Sequence, residues 1–410
     1  MRNVIWFVFT LTALAQTPKP WLLPHFAQRL ELEVSNPSAE PVATLAVVPV
    51  AQAAQVALRF PGTLAIVVAP GAGSAFVASQ ADDLDGDGTP DEFVFPVELG
   101  PHAAKRFDIY YSTTLREEIP WPKRVHACHV FGYNHATVAL ESEQIGYRTY
   151  GGFFLDIQGR MAGKPGLYNT LVGYFGSGRP SEAGWDVIHL GDTLGLGGLF
   201  LRGAGRLFRP PLNMPDYAHK PSSPEVPRYR VISSGPVRAV VEAKLDRWRI
   251  GADEVSIEAL YSMAAGESYV ECRFRILPLR LSAPYETGAG IRHLPDMKLD
   301  RAAGRIALSG TQSRQIGPLG LALYYEPAEA EQIAPVVTPE DANEAVVFRG
   351  KLEPGRAVAG RYWMAGAWSG SGIPDLLLHL ANVGQRARAA VRVGNFRFAA
   401  TPDPKRLEME

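Results

Sequence analysis

Residues 132–160 read GYNHATVALESEQIGYRTYGGFFLDIQGR and gather His135, Glu141, Glu143, Tyr147, Arg148, Tyr150 and Asp156 in one short stretch. These are groups that move protons and hold anions. An imidazole changes charge near neutral pH, a phenol can hand over a proton, and a guanidinium grips a carboxylate through parallel hydrogen bonds. Arg148 carries the most information. Set among Phe153, Leu155 and Ile157, a buried guanidinium needs a carboxylate, supplied either by an internal Asp or Glu or by a bound substrate. Farther along, SEAGWDVIHLGDTLGLGGLFLRG adds Trp185, Asp186 and His189, and His293 lies beyond it. Each isolated histidine, His135, His189, His219 or His293, carries the same alternative, since a lone histidine is more often hydrogen-bonded structure than catalyst. His126, Cys128 and His129 have the types of a zinc site. In a strand, however, His129 points away from the other two and no second ligand pair stands near, so they read as ordinary strand residues.

Strands must position these groups. Gly151-Gly152 suits a two-residue hairpin turn, where positive φ is needed and glycine supplies it. Folding the chain about that turn sets Tyr147 opposite Asp156. It also places Arg148 and Tyr150 on one face with Phe153, Leu155 and Ile157. Elsewhere, alternation with a period of two dominates, broken by 40 Gly and 33 Pro. LELEVSN, VALRF, TLAIVVA, EFVFPVEL and KRFDIYYS make residues 20–118 a small all-β unit. REEIPWPKR reads as a connector, because Pro120 and Pro122 interrupt strand pairing. From residue 119 to 410 the runs lengthen. PVRAVVEAKLDRW, EVSIEALYSM and SYVECRFRIL follow one another across short turns, which predicts an antiparallel meander within a large sandwich. The proline-rich stretch 203–230 reads as a long loop, a feature that is usually functional or disordered.

Composition narrows the classes. The net charge is −1 and no long basic run occurs, which counts against nucleic acid or an anionic membrane as partner. Met1-Arg2-Asn3, an apolar run and Ala13-Leu14-Ala15 predict a signal peptide over residues 1–15, cut after Ala15, and a secreted or periplasmic protein. No later run is long enough to span a bilayer. Cys128 and Cys272 could pair in an oxidising compartment, though Cys272, between Val270 and Phe274, also reads as a core thiol. The glycines near residue 197 make no phosphate loop, and no G-x-S-x-G elbow occurs.

DDLDGDGTPDEF spaces Asp83, Asp85, Asp87 and Asp91 as the first, third, fifth and ninth positions of a calcium loop, with Gly88 at the bend. Val94 stands where the usual bidentate Glu belongs, and strand residues follow instead of a helix. The expectation is a hairpin that calcium could staple, with Glu92 as a substitute ligand and a metal-free acidic turn as the alternative. Any such ion is structural; no cofactor for catalysis is expected.

SQADDLDGDGTPDEFVF, ALESEQIGYRTYGGFFLDIQGR, WDVIHLGDTLGLGGLFL, SSGPVRAVVEAKLDRW and YWMAGAW together resemble the secreted bacterial proteins of domain-of-unknown-function family 4861. The resemblance covers nearly the whole mature chain. It implies an all-β protein: a large antiparallel β-sandwich of galactose-mutarotase-like supersandwich type, preceded by a small β-sandwich domain. It further implies a part in degrading acidic polysaccharides, some members resembling oligosaccharide dehydratases that remove water from a terminal uronic acid. Carried over by motif, it points to Glu141, Glu143, Arg148, Tyr150, Asp156 and Asp186. The His-rich HACHVFGYNH and the YFGSGRPSEAG loop depart from the commoner pattern.

Removing water across C4–C5 of a uronate needs a neutralised carboxylate, a base for the C5 proton and an acid for the departing hydroxyl. Arg148 suits the first task, His135 or His189 the second, and Tyr150 or Tyr147 the third. Glu141, Glu143, Asp156, Asp186, Trp185 and His293 are the expected substrate contacts, with Asp156 or Asp186 able to orient a histidine. Two other readings stay open: glycoside hydrolysis by a carboxylate pair such as Glu141 or Glu143 with Asp186, and glycan binding without turnover on tryptophan platforms such as Trp121, Trp185, Trp363 and Trp368.

Overall fold

The computed structural model describes residues 21–401 except 72–74, 117–118, 133–134, 150–152, 165, 168–182 and 212–224. The leader expected over residues 1–15, the Gly151-Gly152 turn, Tyr150, His219 and much of the expected 203–230 loop lie outside the described residues, as does the side chain of His135.

The described chain is overwhelmingly β, as its period-two patterning predicts. A sheet of ten strands faces one of eight, and buried Leu, Ile, Val, Phe and Tyr from both fill the space between them. The expected meander forms the middle of the eight-stranded sheet: Arg238–Ile250, Asp253–Ala264 and Tyr269–Arg280 pair in sequence. Asp253–Ala264 alternates buried and half-exposed residues along its whole length. That is the signature of a strand with one face in a core. The two sheets approach closely at Gly159, where an added Cβ would lie 2.5 Å from the Trp368 ring. The helix Leu376–Ala387 is capped by the Asp375 carboxylate, which accepts from Leu378 N. It lays Leu376, Leu380, Val383 and Ala387 on the outer face of the eight-stranded sheet, against Tyr324 and Trp363.

The small unit is a second sandwich, of five and three strands around Leu30, Phe60, Phe95 and Phe107. Two expectations need correction here. VALRF, residues 56–60, is not a strand: buried Ala53, Ala57 and Phe60 recur every three or four positions while Leu58 is 75% exposed, a helical rather than a strand rhythm. The division at residue 119 also fails at the far end, because Arg392–Ala400 returns from the large unit and pairs with Gln28–Ser35. No disulfide joins Cys128 and Cys272, and burial pushes the Cys272 thiol up to about 12. No helix among the described residues is long and apolar enough to cross a membrane.

Candidate functional site

In the hairpin that opened the sequence, Arg148 pairs with Asp156, Tyr147 with Ile157 and Thr149 with Leu155. The register expected from a two-residue turn is therefore off by one, and in a sheet a slip of one exchanges the faces. Tyr147 turns into the core, where its hydroxyl donates to Ser268 O at 2.6 Å and accepts from Gly366 N at 2.9 Å. Burial raises its phenol well above the ordinary range. It is a cross-sheet strut and not a catalytic acid.

The opposite face carries the charges. Neighbouring strands line up His126 with Glu141, Glu141 with Gly146, Gly146 with Gln158, and Gln158 with Asp186. Arg148 binds Asp156 and lies 3.3 Å from Asp186. Arg160 binds Glu141, and His126 Nδ1 is 3.1 Å from the other oxygen of the same carboxylate. Gly146 makes room for this pair, since a Cβ there would sit 3.1 Å from Arg160 Nη2. Glu141, Arg148, Asp156, Gln158, Arg160 and Asp186 are all at least 96% buried. Burial raises the Asp156 carboxyl above its ordinary value, against the pull of Arg148. Arg148 is thus held by internal acids, the first of its two alternatives. Glu141, Asp156 and Asp186 are ion-pair partners rather than open substrate contacts. Glu143 sits past the strand end and pairs with Arg124 at 2.8 Å. Trp185 is 4% exposed within the core, so it offers no open platform.

His189 and His293 come together elsewhere. With Arg292, Gln312 and Asp341 they line a hollow of about 470 Å³ at one end of the large sandwich. Arg292 ends the strand Tyr285–Arg292. Its guanidinium donates to the carbonyls of His189 and Leu190, and to Asp341 Oδ2 at 3.2 Å. Burial lowers its pKa, partly offset by Asp341. His293 Nε2 lies 3.0 Å from Glu344 Oε1, and Glu344 Oε2 accepts from Arg301 at 2.6 Å. Glu344 is 1% exposed, so it is a fixed support that sets the ring of His293. His189 is exposed, and its backbone is tied on both sides to the Gln312 amide. The sequence reading named His189 and His293 but missed Arg292, Arg301, Gln312, Asp341 and Glu344. Glu344 is 51 positions from His293, and only sheet pairing brings them together.

The acidic loop joins Gln80–Asp82 to Glu92–Leu99 as a hairpin. Asp83, Asp85 and Asp91 each bring an oxygen within 4.8 Å of the others, a spacing that can hold a calcium ion. Asp87 stands outside this group and accepts from Thr89 N. Glu92 turns away from the loop to Arg238 and Arg273, so it is not a substitute ligand.

Among curated proteins nothing matches the sequence. Among solved structures the chain is similar to a glycosyl hydrolase family 38 protein from Enterococcus faecalis, at 11% identity and TM-score 0.48, covering 91% of this chain and 47% of that one. An α-mannosidase from Enterococcus faecalis V583 aligns at 11% identity and TM-score 0.46, over 91% and 46%. The chain thus spans about half the length of either. A protein assigned as an aldose 1-epimerase from Klebsiella pneumoniae subsp. pneumoniae MGH 78578 aligns at 8% identity and TM-score 0.34, over 65% and 87%. Residues 34–376 match the model of the domain of unknown function (DUF4861), and the chain belongs to that family.

Proposed function

We propose that the protein is an exported carbohydrate-active enzyme that eliminates water from a uronic acid at the end of an oligosaccharide. One observation carries the reading: an imidazole with a buried carboxylate behind it, a guanidinium and a second imidazole share one sugar-sized hollow. His293 takes the C5 proton on Nδ1 while Glu344 supports the ring from Nε2. The C5–H and C4–O bonds break, C4=C5 forms, and the 4-hydroxyl leaves as water after protonation by His189. Arg292 meets the substrate carboxylate and the negative charge that develops beside it. Asp341, 3.2 Å from Arg292, competes for the same guanidinium.

The hydrolase alternative draws less support. Glu141 is bound by Arg160, Glu143 by Arg124, and Asp186 lies beside Arg148, so no described pair among them stands open for acid–base work. The test is incubation with uronate-terminated oligosaccharides, read by mass and ultraviolet absorbance. Elimination gives a product lighter by one water with a conjugated double bond. Hydrolysis gives a new reducing end, and binding alone gives neither.

We infer separately that Asp83, Asp85 and Asp91 hold a structural calcium ion. Its chemistry is hard oxygen coordination and it takes no part in the reaction.

A further inference from the structure

On the far side of the eight-stranded sheet, the small unit and the segment after the C-terminal helix enclose a second hollow, of about 350 Å³. Arg361 and Trp363 stand on its wall from the strand Val358–Trp368, two residues apart and so on one face. In the sheet register Arg361 lies directly opposite Arg273. Like charges in that position repel unless an anion covers them. Arg273 is covered, by Glu92 at 2.8 Å and Glu271 at 3.1 Å. Arg238, on the same wall, is covered by Asp82 and Glu92. Arg361 is not: among the described residues no carboxylate pairs with it, and its guanidinium lies 5.1 Å from the Trp363 ring centre. Tyr269 lines the hollow farther along the same ladder, opposite Ala365 and so four positions from Arg361; it is 8% exposed, and its hydroxyl has no hydrogen-bond partner among the described residues. Arg388 and Glu326 also line the hollow, with Arg388 donating to the carbonyls of Gly384 and Ala303, and Arg361 is the guanidinium turned to the hollow without a protein partner among the described residues.

We propose that this hollow is a second binding site, for a carboxylate-bearing sugar whose carboxylate sits on Arg361 and whose hydroxyl reaches the Tyr269 phenol. A guanidinium without an acid, a buried phenol without a partner and an indole wall are the groups such a ring requires. The volume suits one or two rings. The site lies on the opposite side of the eight-stranded sheet from the core and shares no lining residue with the hollow at His293.

The test counts bound digalacturonate per chain by calorimetry, with lactose as the neutral control and inorganic phosphate as competitor. Arg361→Gln, an exposed and conservative change, removes one bound sugar per chain, Tyr269→Phe weakens that site about tenfold, and lactose does not bind there. Turnover at the His293 hollow is unchanged by Arg361→Gln. If turnover is never found, the loss of one bound sugar still stands by itself. Unchanged stoichiometry in Arg361→Gln overturns the proposal, and so does phosphate displacing the sugar at equal concentration, which would make this a simple anion site.

Discussion

At the scale of single residues, two buried arginines differ in what surrounds them. Arg148 is enclosed by Asp156 and Asp186, whereas Arg292, nearly as buried at 6% exposure and paired with a single acid, Asp341, stands on the wall of a hollow with two histidines. Replacing Arg148 with Leu leaves buried carboxylates facing each other without a cation. The expected loss is about 3–5 kcal/mol of stability, measured by urea unfolding, with turnover per folded molecule unchanged. Loss of turnover at full stability would instead return Arg148 to the reaction. At the hollow, His293→Asn keeps the shape but removes the base, and kcat should fall by about 10²–10⁴ with little change in melting temperature. Asp341→Asn should act the other way, lowering KM several-fold for an acidic substrate because Arg292 loses its competitor.

At the scale of elements, the strands were legible, and so was the pairing of neighbours across short turns, whereas pairing between strands distant in sequence was not. Alternation in DEVSIEALYSMA or RAVVEAKLDRWRI identifies a half-buried strand from its own residues. The hairpin at 145–160 failed for a different reason. The last pair is Thr149 with Leu155, so more residues separate the strands than a Gly-Gly turn implies, and the slip moved Arg148 from the apolar side to the charged row. The hollow was out of reach for sequence reading because Glu344 meets His293 only through strand pairing, and Arg301 reaches Glu344 from the other sheet. The acidic hairpin, by contrast, was read from spacing alone, apart from Asp87 and Glu92. Calcium at a hundred times its dissociation constant should add about 2.7 kcal/mol and raise the melting temperature, an effect that Asp83→Asn abolishes. An identical melt in chelator would remove the ion from the account.

For the whole molecule, Glu92 is the clamp between the two sandwiches, reaching Arg238 at 2.6 Å and Arg273 at 2.8 Å from the small unit. Burial alone would raise its carboxyl, but the two guanidinia win and hold it below its ordinary value of 4.5. A carboxylate with a lowered folded pKa lends stability above its unfolded value and loses it as the pH falls through the folded one. The two units should therefore loosen as the pH falls below the ordinary value of 4.5, seen as faster proteolysis at the 119–124 connector, and Glu92→Gln should loosen them at neutral pH as well. The most direct measurement is the mass of a uronate-terminated disaccharide after incubation with the wild-type protein and with His293→Asn. A product lighter by one water with the wild type, and unchanged disaccharide with the variant, is the predicted result. Equal conversion by both proteins, or no water lost with either, would contradict it.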